Sequence, residues 1–210
     1  MSAKRVTGTL FSSLFLILSF FPAVSMAQPA GNPLQLVQSG TDEALGVLRA
    51  ARTGQGPSIR ERKEEILRNV DQYFDFEEMG KRALGRPWKD QSPAKQKEFA
   101  ALFKRLLFNT YVDRVETYTG SNEQVVYDQE RLEGDYAVVY TRILGYKNKD
   151  VHVDYRLRHS SKDWKVYDVI VEGISLVNNF RQQFNSILAN DSFDSLLKLL
   201  KDKVAAQEQA

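Results

Sequence analysis

The chain has 210 residues, of which 29 are Lys or Arg, 27 are Asp or Glu, 42% are hydrophobic and none is cysteine. That length supports one domain with a substantial core, and the lack of cysteine excludes a disulfide framework, a thiol nucleophile, a thiolate metal site and a thioether lipid anchor. Only Lys4 and Arg5 of the basic residues fall in the first 27 positions, so the other 183 residues carry 27 basic against 27 acidic side chains, a balance that argues against nucleic acid as a partner.

The first 27 residues read as a cleavable export signal. Lys4 and Arg5 form its charged start, Leu10 to Phe21 its apolar centre, and Ser25-Met26-Ala27 a small-x-small cleavage site. The apolar run of 12 residues is shorter than a permanent anchor, which needs about 20. The expectation is a soluble mature chain from Gln28, one domain over 28–210. Its helical part spans about 34–118, its sheet about 123–172 and its closing helices about 174–206.

After a leader at 28–33, Leu36, Val37, Ala44, Leu45 and Leu48 predict a helix ending near Arg52, and Thr53-Gly54-Gln55-Gly56-Pro57 breaks the chain. A charged helix follows, with Ile59, Ile66, Leu67, Val70 and Phe74 on one stripe. A short helix is expected over Phe76 to Leu84, then a turn at Gly85-Arg86-Pro87-Trp88. Ser92-Pro93 suits an N-cap with proline at the first helical position, opening a helix to about Tyr118. Its stripe is bulky: Phe99, Leu102, Phe103, Leu106, Leu107, Tyr111, Val115 and Tyr118.

From Glu123 the period changes to two. Val125 to Tyr127, Tyr136 to Leu144, Val151 to Arg158 and Trp164 to Val171 predict four strands, with Leu132-Glu133-Gly134-Asp135 as the first connection. Short connections make them an antiparallel meander with one buried face and one wet face. In the third strand Val151, Val153, Tyr155 and Leu157 share the buried face, opposite His152, Asp154, Arg156 and Arg158. Ile174, Val177, Phe184, Ile187 and Leu188 then resume helical spacing, and Phe193, Leu196, Leu197, Leu200 and Val204 mark a last amphipathic helix. The fold class is α+β, a curved antiparallel sheet flanked by helices.

Chemical motifs are scarce. His152 and His159 project from opposite faces of a strand and cannot share a metal. Gly173-Ile174-Ser175-Leu176-Val177 lacks the second glycine of a nucleophile elbow, and Gly54-Gln55-Gly56 neither follows a strand nor has the third glycine of a dinucleotide loop. Asp154 beside Tyr155, and Asp168 beside Tyr167, read as surface carboxylates next to core phenols. The eight basic residues Lys81, Arg82, Arg86, Lys89, Lys95, Lys97, Lys104 and Arg105, facing Asp90 and Glu98, read first as a solvated face and second as a dock for an acidic partner or anionic headgroups.

The segment Asp163-Trp164-Lys165-Val166-Tyr167-Asp168-Val169-Ile170-Val171-Glu172-Gly173-Ile174-Ser175-Leu176 carries a resemblance. With Tyr73-Phe74-Asp75-Phe76-Glu77-Glu78-Met79, Ala83-Leu84-Gly85-Arg86-Pro87-Trp88 and Ser92-Pro93-Ala94-Lys95-Gln96, it resembles the MlaC, or toluene-tolerance auxiliary, family of periplasmic phospholipid carriers, over roughly Leu36 to Val204. The resemblance implies an NTF2-like cone enclosing an apolar cavity, acyl tails inside and headgroup outside. It further implies a monomeric periplasmic shuttle between an inner-membrane ABC transporter complex and an outer-membrane lipoprotein-porin complex, maintaining outer-membrane lipid asymmetry. No enzyme activity, metal or cofactor is expected, with phospholipid as cargo.

Tail binding needs apolar surface rather than a catalytic motif. Methylene burial is worth roughly 0.8 kcal/mol each, so a tail of about 16 carbons gains on the order of 12 kcal/mol. The expected lining is the inward sheet face (Val139, Val151, Val153, Tyr155, Leu157) opposed by Leu102, Phe103, Leu106, Leu107, Tyr111 and Val115. Weak headgroup selectivity follows, since tails are common to all phospholipids. The rival readings are an NTF2-like enzyme or carrier for another hydrophobic small molecule, which for an enzyme would need an inward carboxylate or histidine, and an adaptor with a filled core.

Overall fold

The computed structural model describes residues 31–52, 59–116, 123–160 and 163–209, with backbone alone at 47–52, 59–60, 62 and 113–116. The expected export signal, the break at 53–57, Tyr118 and the side chain of Val115 lie outside the described residues. No helix among the described residues is long and apolar enough to cross a membrane.

The order is α1 (Pro33–Arg52), α2 (Ile59–Asn69), α3 (Phe76–Leu84), α4 (Pro93–Glu116), β1 (Gln124–Glu133), β2 (Tyr136–Tyr146), β3 (Lys149–Ser160), β4 (Asp163–Val171), β5 (Ile174–Ser175), α5 (Leu176–Leu188) and α6 (Phe193–Gln209). All strand pairs are antiparallel and the sheet order is β1-β2-β3-β4-β5. The meander is as expected, with two differences. First, β1 runs on to Glu133, because a bulge between Tyr127 and Gln129 shifts its alternation by one residue. Gln129 to Glu133 therefore fall outside the expected strand although they pair with β2, while Asp128 is the unpaired residue of the bulge. Second, Ile174 belongs to a fifth strand rather than to a helix. Glu172 and Gly173, at φ +50° and +78°, make the two-residue turn that returns Ile174 onto Val171.

The apolar residues form two cores. One is wholly helical and joins α3, α4, α5 and α6 around Phe99, Phe103, Phe180 and Phe184, whose rings meet at 5.2–6.0 Å. The other lies between one face of the sheet and α1, around Val37, Val139, Leu157 and Trp164. Phe74 packs against both.

The motif around Phe74 joins the two. Residues 73–75 run beside β4, with Asp75 N–H donating to the Val166 carbonyl at 2.9 Å and Val166 N–H to that of Tyr73 at 2.8 Å. Asp75 then caps α3, accepting from Glu78 N–H at 2.9 Å. Glu78, buried on the next turn, receives Arg82 at 2.8 Å, Lys81 at 3.2 Å and Arg158 of β3 at 3.7 Å. Arg158 also reaches Asp75 at 3.2 Å, which fastens α3 to the polar side of the sheet.

Candidate functional site

Facing pairs in the strand register define the apolar side of the sheet. Ala137, Val139, Thr141 and Ile143 of β2 stand opposite Leu157, Tyr155, Val153 and Val151 of β3, and Val169 and Val171 of β4 stand opposite Tyr155 and Val153. Tyr127 of β1 faces Thr141. The one buried hydroxyl in this set is satisfied, Thr141 donating to the Val153 carbonyl at 2.5 Å.

Burial along this face is graded. Ala137, Val139, Leu157, Trp164 and Val166 are closed off at the β3–β4 turn end. Thr141 and Val153 stay buried farther along with Tyr127 and Tyr155 half-buried beside them, Ile143, Val151 and Val171 are half-buried toward the β2–β3 turn, and Ile174 beyond them is 60% exposed. The face is thus sealed at one end and open at the other.

Helix α1 covers it and is held by polar clasps. Leu34 N–H donates to Glu130 Oε1 at 2.8 Å, and Glu43 accepts from the Tyr73 hydroxyl at 2.6 Å and from Asn69. At Gly40 the helix comes so near Tyr73 that a Cβ would stand 3.0 Å from the ring. Inward strand positions were expected to be apolar or tyrosine, and besides Thr141 two depart from that. Glu130 faces inward because of the β1 bulge, paired with Val139, and its carboxylate is spent on α1. His159 lies at the closed end against Trp164, ring centres 5.3 Å apart.

The Glu43 hydrogen bond, with burial, raises the Tyr73 phenol to about 12, and burial raises that of Tyr155 to about 12, Tyr127 adding to it and a Thr41 hydrogen bond opposing it. Both phenols keep their protons in the folded chain to higher pH than in the unfolded chain, which releases them near 10. Between about pH 10 and 12 the folded state binds more protons, so these groups make stability fall as pH rises. Tyr155→Phe is expected to flatten that alkaline loss in denaturant titrations at pH 9 to 11.5; an unchanged slope would show that the phenol is solvated.

The expected lining divides between the two cores. Val139, Val153 and Leu157 are buried, and Val151 and Tyr155 half-buried, on the sheet face under α1. Phe103, Leu106 and Leu107, with Leu102 and Tyr111 at the margin, pack instead in the helical core. The structure therefore does not set the α4 stripe against the sheet, because α5 and α6 occupy its apolar side. Neither of the two open clefts described below is lined by any of these residues.

One cleft, of about 670 Å³, lies on the opposite side of the sheet around Arg82, Arg156 and Arg181. The other, of about 410 Å³, has Asp71, Asp75, Glu77 and Asp163 around Lys165. Both have charged linings, so of these surfaces the half-open apolar face is the one suited to an apolar ligand.

Asp168 departs from its expected surface position. It is 3% exposed and accepts from the Ser175 hydroxyl at 2.7 Å and from Val177 N–H at 3.1 Å, tying β4 to the start of α5. The spacing of Asp168 and Ser175 in the recognised segment carried that signal. Most of the basic cluster stays at the surface but is paired within the chain: Lys81 and Arg82 with Glu78, Lys95 with Asp194, Lys104 with Asp71 and Arg105 with Glu208. Arg86, Lys89 and Lys97 have no ion pair among the described residues. No group of His, Asp and Glu able to hold a metal occurs among the described residues.

A five-stranded antiparallel sheet with a helix across one apolar face, beside a separate helical core, defines an α+β fold found in solved structures. The phospholipid-binding protein from Ralstonia solanacearum, solved in complex with a phospholipid, matches with a TM-score of 0.74 and 24% identity over 85% of this chain and 99% of that one. In sequence, the intermembrane phospholipid transport system binding protein MlaC of Haemophilus influenzae is 23% identical over 93% of this chain and 92% of its own. Toluene tolerance protein ttg2D of Pseudomonas putida is 26% identical over 86% of this chain and 83% of its own. The MlaC protein family matches residues 38–202, and this chain belongs to it.

Proposed function

We propose that this protein is a periplasmic phospholipid carrier that shuttles lipid between an inner-membrane ABC transporter complex and an outer-membrane lipoprotein-porin complex. The observation that carries the reading is the graded sheet face, closed around Leu157 and Trp164 and half-open at Ile143, Val151, Val171 and Ile174. The names of the family relatives, a phospholipid transport binding protein and a toluene tolerance protein, support it. Tails lie along this face under α1, as in an NTF2-like cone, with the headgroup outside. Admitting them requires α1 to ride outward, and its polar clasps at Glu130 and Glu43 can reform with water at small net cost. A tail worth on the order of 12 kcal/mol leaves too slowly into water for free diffusion, so handover occurs by contact with a partner at the open end.

The test is to purify the chain from residue 28 without detergent, extract it with organic solvent and identify bound lipid by mass spectrometry. Stoichiometric phospholipid of mixed headgroups is expected; a stable, lipid-free protein overturns the reading. Val151→Asp places a charge on the half-open part of the face. It should leave the fold intact by circular dichroism and cut bound lipid at least about tenfold, since an ionised carboxylate among acyl chains is strongly disfavoured.

A further inference from the structure

The cleft of about 670 Å³ at the β4–β5 turn has three guanidinium groups and a single carboxylate, Asp168, in its lining. Asp168 is engaged by Ser175 and Val177, and Arg156 Nη1 stands 3.4 Å from it. With its side chain 46% exposed, Arg156 therefore has donors to spare. Arg82 gives its Nε to Glu78 and lies over the Tyr167 ring at 4.1 Å, which fixes its plane. Arg181 has no acidic partner among the described residues. Its Nη2 lies 3.4 Å from where a Cβ on Gly85 would stand, and Gly85, at φ +70°, is a position that favours glycine. The lining thus leaves a surplus of positive charge, presented as planar forks that match the oxygens of a phosphate.

The register links this cleft to the apolar face. Ile174 pairs with Val171, which pairs with Val153, so the Ile174 side chain belongs to the α1 side of the sheet, and the same residue lines the cleft. Only the two-residue Glu172-Gly173 turn separates the open end of the tail face from the arginines. A lipid with its tails along the sheet can therefore cross this edge with its glycerol and bring its phosphate to them.

We propose that Arg82, Arg156 and Arg181 form a phosphate site that holds the phosphate group of the carried lipid, an inference that rests on the carrier reading above. The site engages the group common to all phospholipids and leaves the variable alcohol in water, so it adds retention without headgroup choice.

Arg181→Gln and the double variant Arg156→Gln/Arg181→Gln test it, with Lys89→Gln/Lys97→Gln removing equal charge outside the cleft. On protein purified with its lipid, the ³¹P resonance of the bound lipid should move in both cleft variants. Transfer to phosphatidylcholine vesicles should speed up about tenfold in the double variant and not in the control. An unmoved resonance with unchanged transfer overturns the proposal. Titration of delipidated protein with inorganic phosphate separates the sources. Binding that is tenfold weaker in the double variant, beside an unmoved lipid resonance, keeps a phosphate site and overturns its assignment to the carried lipid. If no lipid is held at all, the carrier reading fails, and the phosphate titration still decides: a tenfold difference retains the site, and equal or absent binding removes it. Arg181 is exposed and makes no ion pair among the described residues, so its variant should fold even if Arg156→Gln perturbs the Asp168 clamp.

Discussion

Phe103→Ala is expected to lower the unfolding free energy by about 3–5 kcal/mol and the melting temperature by roughly 10 °C, while folded protein at low temperature keeps its lipid. Phe103 is fully buried in the helical core, its ring 6.0 Å from Phe99, 5.2 Å from Phe180 and 5.6 Å from Phe184. Truncation leaves a cavity that three aromatic neighbours on two helices cannot close together, so the transfer loss and the cavity cost add. None of those neighbours lies on the sheet face under α1. Paired with Val151→Asp, the variant separates stability from cargo: one should weaken the fold and spare the lipid, the other the reverse. Measuring denaturant midpoint and bound lipid on the same preparations checks both. If Phe103→Ala emptied the protein at unchanged stability, α4 would line the tails after all.

Asp168→Ala is expected to cost about 3–5 kcal/mol, although no large apolar group is lost. The carboxylate is the buried acceptor for the Ser175 hydroxyl and Val177 N–H, and its removal leaves those donors, and Arg156, without it. Because Ser175 also accepts from Asn178 N–H at 3.0 Å as the cap of α5, the loss should spread to the start of that helix. Hydrogen exchange should report it as early opening of residues 174–180, ahead of global unfolding. A denaturation curve within 1 kcal/mol of the parent would remove Asp168 as the clamp.

Local patterns were legible where one period ran undisturbed. The short helix at Phe76–Leu84 and the apolar set Phe193, Leu196, Leu197, Leu200 and Val204 follow directly from helical spacing, and all of that last set is buried. Alternation in β3 gave the correct inward residues, because no bulge interrupts its pairing with β2 from Tyr136 to Ile143. The bulge in β1 defeated the same rule by moving Glu130 inward and Gln129 outward, so a ten-residue strand looked like three residues and a loop. The two-residue β5 is too short to show a period. Most consequential for the site, an amphipathic stripe tells which side of a helix is buried but not what covers it. The α4 stripe was expected to face the sheet and instead faces α5 and α6, a non-local choice that no local spacing encodes.

The β1 bulge has a further effect at the margin of the sheet. β1 is an outermost strand, with β2 as its neighbour and the backbone of its other side free of ladder partners among the described residues. A flat, apolar strand in that place would template addition of a second chain and growth into aggregates. Here the bulge twists the strand between Tyr127 and Gln129, and the exposed residues around it, Asp128, Arg131 and Glu133, bring charge that a stacking chain would have to desolvate. The irregularity that hid the strand from sequence reading thus also disfavours edge-to-edge addition of a second chain at β1.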